Sequence, residues 1–236
     1  MELLARLVAW FADPANWSGR DAIPVRLFEH AAVSISAIAV ALVIALPIAL
    51  YIGHTGRGAF LAVSLSNIGR AVPSYAVLVI FFGFFVQSTT SINLVTYGPT
   101  ILAMIALAIP PIVTNTYAGL RDVDQELIEA ARGMGMRGTD VLRQVELPLA
   151  VPVILAGIRT AAVQVVATAA LGAVIGAGGL GRYIVQGIAR QTLERLLAGG
   201  LMVALLAIGT ELVLAWVQRR ATSPGTRVVD PGRPLV

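Results

Sequence analysis

The 236-residue sequence contains no cysteine. Disulfides, thiolate nucleophiles and cysteine-ligated metals are therefore excluded. Lysine is missing too, so all 17 basic residues are arginines. That rules out a Walker-type phosphate loop, which ends in Gly-Lys-Ser/Thr, and with it ATP hydrolysis by that route. Schiff-base chemistry, which needs a lysine amine, is excluded as well. His30 and His54 are the two histidines, too few for a metal site that wants three or more converging ligands. Charge is also scarce. Charged residues make up 13% of the chain, about half the ~25% of an ordinary soluble domain.

What is present is apolar. Hydrophobic residues account for 57% of the sequence and the mean hydropathy is +0.83. Disordered chains are poor in such residues, so disorder is excluded and the bilayer becomes the expected solvent. At about 20 apolar residues per span, the length holds five or six helices and short loops in one membrane domain. The pI near 10.1 then reads as charge at a lipid surface rather than as nucleic-acid binding.

Residues 2–12 do not read as a cleavable signal: Glu2 follows the first residue, Arg6 interrupts the apolar stretch, and Asp13-Pro14 halts it. Two readings stand side by side. One is a short amphipathic helix with Trp10 and Trp17 at headgroup level; the other is a frayed terminus. Hydropathy places spans at residues 30–52, 59–86, 96–117, 149–174 and 198–217. The second is too long for a bilayer core of about 30 Å, so a kink at 71–73, with Pro73, is expected. Pro110-Pro111 is expected to break the second half of the third span. A glycine-rich bend at 176–181 should lead into a short helix over 182–194.

Arginine counting sets the orientation. Nine arginines (Arg57, Arg121, Arg132, Arg137, Arg143, Arg219, Arg220, Arg227, Arg233) fall on one side and six (Arg6, Arg20, Arg26, Arg182, Arg190, Arg195) on the other. The first side is read as cytoplasmic, giving N-terminus out and C-terminus in. The tail from 221 to 236, rich in Pro, Gly and Arg, reads as unstructured.

The loop at 121–148 is the most informative segment, with six acids and four arginines in a chain otherwise short of charge. Residues 122–132 favour a helix, with acids early and an arginine late to suit the dipole. Leu127, Ala130, Ala131 and Met134 fall on one face at helical spacing. Gly133 and Gly135 should end that helix, and Thr139 or Asp140 should cap a second short one reaching Val145. An apolar stripe on a loop with no protein above it wants a groove on a partner; an ordinary solvated loop would have none.

Glu129-Ala130-Ala131, then Gly135, then Val145 and Leu147-Pro148 resemble the EAA signature of permease subunits of ABC importers. The family pattern has Ile or a similar residue where Val145 stands. The resemblance implies an all-α polytopic membrane protein of about five transmembrane helices with the type I (MetI-like) importer fold. It implies that Glu129, Ala130, Ala131, Gly135, Val145, Leu147 and Pro148 build a coupling loop held in the cleft of a cytoplasmic ABC ATPase subunit. Residues 1–29 would then be an N-terminal amphipathic segment on the outer face, 30–219 the permease domain, and 220–236 a cytoplasmic tail. The implied setting is a bacterial or archaeal inner or plasma membrane. Implied partners are a periplasmic or lipid-anchored substrate-binding protein, a second permease copy or sister permease, and membrane lipid, with no nucleic acid. ATP would be bound by the ATPase, and no cofactor by this chain. The phrases Asn16-Trp17, Glu29-His30, Gly53-His54-Thr55-Gly56, Arg70-Ala71-Val72-Pro73-Ser74 and Gly178-Gly179-Leu180-Gly181-Arg182-Tyr183 are similar to the osmoprotectant branch. That branch imports quaternary amines such as glycine betaine, choline or carnitine. Branches for methionine and other amino acids share several of these phrases, and Ala49 departs from the glycine often found there.

Other features point elsewhere or stay open. The run from Gly176 to Gly181 fits a dinucleotide fingerprint, but it follows a membrane span rather than a strand. Phe81, Phe82, Phe84 and Phe85 read as lipid-facing or packing bulk rather than a cation cage, which favours Trp and Tyr. Arg70, Arg159 and Glu211 are ionisable residues inside spans and so are functional candidates by default. Arg70, Pro73, Arg159, Gly178 and Gly179 are the candidates for lining or gating a path, with a structural role for the two arginines as the alternative. An ion-coupled secondary transporter would need membrane-buried carboxylates, for which Glu211 is the one candidate.

Overall fold

In the computed structural model, residues 2–58, 60, 64, 67 and 72–222 are described, and among them the regular structure is entirely helical. The helices are α1 (Glu2–Ala12), α2 (Ile23–Thr55), α3 (Ser74–Ser88), α4 (Ile92–Arg121), α5 (Gln125–Gly133), α6 (Gly138–Val141), α7 (Leu147–Ala169), α8 (Gly181–Ala189) and α9 (Leu193–Ala221). Among the described residues four helical stretches are long and apolar enough to cross a membrane: Ile23–Thr55, Ile92–Arg121, Gly138–Ile175 and Leu193–Ala221. The second expected span survives as α3, an apolar helix of 15 residues. At the expected kink, Pro73 is the extended residue before Ser74 (φ −58°, ψ 130°), and α3 starts there; residue 71 lies outside the described residues. Arg70 and most of the preceding stretch lie outside the described residues, as does the tail from 223 onward.

How α2 packs is legible in its alanines. Ala37, Ala41, Ala45 and Ala49 are all fully buried. Four-residue spacing puts them on one stripe, and their small side chains let backbones approach closely, the usual device for helix pairing in lipid. Against this stripe pack Met104, Ile105, Ala108 and Ile112 of α4 and Ala161 and Val165 of α7. The helix begins at Ile23, earlier than expected, with Pro24 in the first turn where its missing N–H is harmless. It ends at Gly56, whose φ of +70° lets its N–H reach back to the Ile52 carbonyl.

Pro110 and Pro111 do not break α4, which runs on to Arg121. Both prolines are buried against neighbouring helices, and such packing sustains a membrane helix through a proline. The Gly157 position of α7 approaches α4 so closely that a Cβ there would lie 2.8 Å from the Pro111 carbonyl oxygen. At the far end of α7 the helix tightens to a 3-10 turn (Ala170–Ile175) and stops at Gly176, φ +95°. The expected 182–194 helix is shorter. It ends at Ala189, and Gln191 takes a left-handed conformation (φ 54°) that turns the chain into α9.

Candidate functional site

The polar loop folds as a hairpin with a core of its own. Asp124 caps α5 by accepting from the Glu126 N–H at 2.9 Å. Ile128 and Ala131 of α5 are buried against Val123 and Val141, with Met136 and Val145 closing the cluster. The chain reverses at Gly135, whose φ of +87° is in the left-handed region where only glycine is unstrained. A Cβ there would meet nothing, so backbone conformation alone demands glycine. The second helix starts at Gly138, ahead of the expected caps. Asp140 acts from inside its first turn, accepting the Arg137 N–H at 3.3 Å.

That second helix does not stop at Val145 but continues through a π turn, Leu142–Glu146, directly into α7. The cause is Pro148. Lacking an N–H, it cannot close a normal rung, and the ladder widens so that the Leu147 N–H bonds to Leu142, five residues back. Leu147 itself packs with Leu120, Ala150 and Ile154 where the loop meets the spans.

The signature residues therefore divide. Ala131, Val145 and Leu147 face inward and build the loop, and Gly135 turns it. Glu129, Ala130 and Pro148 lie on its surface. The expected apolar stripe is split accordingly: Ala131 turns into the hairpin core, while Leu127 (50% exposed) and Met134 (78% exposed) stay outside with Glu129 and Ala130. Ile128, which takes the inward place beside Ala131, was missed by counting only the stripe. So was Glu146. It is 2% exposed and its Oε2 lies 2.6 Å from Nδ1 of His54 on the last turn of α2. A lone acid between two apolar residues carries no sequence signal that it will be buried. Replacing Gly135 by Leu should leave insertion intact, at a strain of about 1–2 kcal/mol in the loop. Uptake should fall while the chain still reaches the membrane, which transport assays and membrane fractionation would check together.

At the opposite end of the bundle, Gly178 and Gly179 are clasped to the start of α2. Glu29 Oε2 accepts from the Gly179 N–H at 2.8 Å and from Arg26 Nη1 at 2.6 Å. The His30 ring accepts the Leu180 N–H through Nδ1 at 3.3 Å and reaches the Val166 carbonyl through Nε2 at 2.9 Å. A Cβ at Gly178 would collide with Glu29 and with the Tyr97 hydroxyl. Tyr183, fully buried, donates to the Asp21 carbonyl at 2.5 Å, and Arg195 lies over its ring at 5.5 Å. Burial pushes the Tyr183 phenol up. The hydrogen bond from Arg26 holds the Asp21 carboxyl below its usual range. The N-terminal helix belongs to this end: Trp10 meets Tyr183 edge-on at 5.4 Å, and Arg6 lies 3.9 Å from Glu194. Of the two readings for residues 2–12, the helix is the one observed, and it is docked on this end of the bundle.

Arg159 is tied to α9. Its Nε is 3.2 Å from Glu211 Oε1 and its Nη1 donates to Gln218 Oε1 at 3.0 Å, while Gln218 donates on to the Pro152 carbonyl at 2.8 Å. Two of the isolated membrane charges thus answer each other across α7 and α9. Arg159→Ala should lower the melting temperature of the detergent-solubilised protein, and adding Glu211→Ala should recover part of the loss, since the lone acid is then removed. Pro73 stands at the head of α3, and Phe85 covers Gly98 rather than forming a cage.

Comparison with known proteins bears on this architecture. The choline transport system permease protein OpuBB of Bacillus subtilis (strain 168) is 36% identical over 202 residues, covering 85% of this chain and 88% of that protein. The glycine betaine/carnitine/choline transport system permease protein OpuCB of the same organism is 35% identical, covering 84% of this chain and 87% of that protein. The osmoprotectant import permease protein OsmW of Salmonella typhimurium is 34% identical, covering 85% and 92%. A solved inward-facing structure of the MetNI methionine ABC transporter superposes with a TM-score of 0.72 at 22% identity, covering 89% of this chain and 99% of that one, which is a likeness of fold. The model of the family described as "Binding-protein-dependent transport system inner membrane component" matches residues 20–223. The chain belongs to that family and is a multi-pass membrane permease of the ABC importer type.

Proposed function

We propose that this chain forms the translocation path of an importer for quaternary-amine osmoprotectants such as glycine betaine, choline or carnitine. The substrate class rests on relatives with those cargoes in their names, at 35–36% identity along most of the chain, and on one named for an osmoprotectant at 34%. The methionine transporter supports the fold but is too distant in sequence to argue cargo. An ion-coupled carrier is disfavoured because Glu211, the ligand the sequence offers for it, is engaged by Arg159, and the buried Glu146 is paired with His54.

The observation that carries the coupling mechanism is the two-sided hairpin. Its inner face is filled by Ile128, Ala131 and Val141, so the exposed Leu127 and Met134 are left for another protein. In our reading that protein is a cytoplasmic ATPase subunit, whose closure moves the hairpin as a rigid body. A substrate-binding protein meets the opposite, clasped end, and a second permease copy or a sister permease completes the path. Gly135, Leu147 and Pro148 set the hairpin's shape, and Glu129 and Ala130 belong to the face presented to the ATPase. The loop end is cytoplasmic, with the N-terminus out and the C-terminus in.

Proteoliposomes holding the permease, the ATPase and the binding protein encoded with it test the cargo. ATP-dependent accumulation of labelled glycine betaine or choline is expected. Accumulation of methionine instead would overturn the substrate assignment.

A further inference from the structure

The end of α2 is held from two sides. On one side Gly53 presses against α4, so close that a Cβ would sit 2.5 Å from Leu120 Cδ1. On the other, one residue along, His54 Nδ1 meets Glu146 Oε2 at 2.6 Å. Glu146 is the last residue of the π turn, and its side chain is 3% exposed against 19% for His54. The imidazole also faces the start of α6: a Cβ on Gly138 would lie 3.5 Å from its Nε2. A carboxylate is rarely withdrawn from water unless it is paired, so this contact is a built one. It joins two elements 92 residues apart in sequence at the point where the hairpin enters the spans.

We propose that His54 and Glu146 are positioning residues that carry movement of the hairpin directly into α2. Without them the hairpin would reach the bundle through the π turn into α7, the short link from α4, and the apolar cluster in which Leu142 and Leu147 meet Leu120. With them it also grips the helix whose alanine stripe is packed on both α4 and α7. The hairpin and the three central helices then shift as one body. This rests on the reading that the hairpin docks on an ATPase.

The test compares transport with hydrolysis in the reconstituted complex of permease, ATPase and binding protein. His54→Leu alone strands a buried acid and is liable to unfold, so the decisive variant is His54→Leu with Glu146→Leu, which replaces the pair by apolar groups. This double variant should insert, co-purify with the ATPase and hydrolyse ATP, but uptake per ATP hydrolysed should fall about tenfold. His54→Asn, whose amide reaches the position of Nδ1, should stay near the parent ratio. A parent-like ratio in the double variant, or a loss in His54→Asn as deep as in the double variant, overturns the proposal while leaving docking untouched. If the ATPase fails to co-purify even with the parent chain, docking itself is wrong and the proposal falls with it.

Discussion

A permease carrying Leu127→Asp and Met134→Asp is expected to reach the membrane and melt like the parent, yet to lose its ATPase in a detergent pull-down. Both side chains are largely exposed, at 50% and 78%, so the isolated subunit loses little when they become polar. In a complex they would be the apolar anchors of a small interface. Truncated anchors of that kind cost on the order of 2 kcal/mol each, and carboxylates buried in an apolar cleft cost more. Together they should weaken binding by about a thousandfold. Glu129→Arg, on the same face, should act in the same direction through charge reversal. The control is Ile128→Asp. It faces the hairpin's own core, and its effect should appear as lost stability before lost binding. Undiminished ATPase recovery with the Leu127/Met134 variant would leave the hairpin as ordinary solvated surface.

A second large effect is expected in the membrane interior. Gly157→Val places a Cβ 2.5 Å from that of Asn115 and 2.8 Å from the Pro111 carbonyl oxygen. A side-chain tip could swing away, but a backbone oxygen of a helix locked by two prolines cannot, so α4 and α7 must separate. Overpacking of this kind costs about 1–3 kcal/mol, occasionally more, and the upper end is expected here. The variant should accumulate poorly and melt well below the parent, whereas Gly200→Val, with nothing within 4 Å, should behave like the parent. Equal melting temperatures for the two would mean that α4 and α7 are not in contact at Gly157.

The spans were legible because a bilayer imposes one demand, length of apolar chain, that hydropathy reads directly. The hairpin's turn was legible for a similar reason: Gly135 interrupts a helical pattern and is found at positive φ. The continuity of α4 was not legible. A Pro-Pro pair reads as a breaker until the packing that supports it is known, and that packing comes from α2 and α7. The same applies to the π turn. Pro148 signals a helix start in isolation, and only the rung from Leu147 back to Leu142 shows that the helix had already begun. Ion pairs were hardest to foresee. Arg159 with Glu211, and His54 with Glu146, join residues far apart in sequence, and local pattern holds no record of such meetings.

The π turn also fixes a direction. Each residue of an α-helix advances about 100° around its axis, and Leu142–Glu146 accommodates one residue more than an α-helical turn would. The widened rung takes up that extra residue, so α6 and α7 on either side keep the bearing they would have across a regular turn. In a ladder that stayed α-helical the same residue would turn everything beyond it by about 100°, and Leu127 and Met134 would face a different point of the compass. The azimuth of the hairpin tip therefore depends on the turn staying wide, which lets the chain carry one residue more at this junction without misaiming the hairpin.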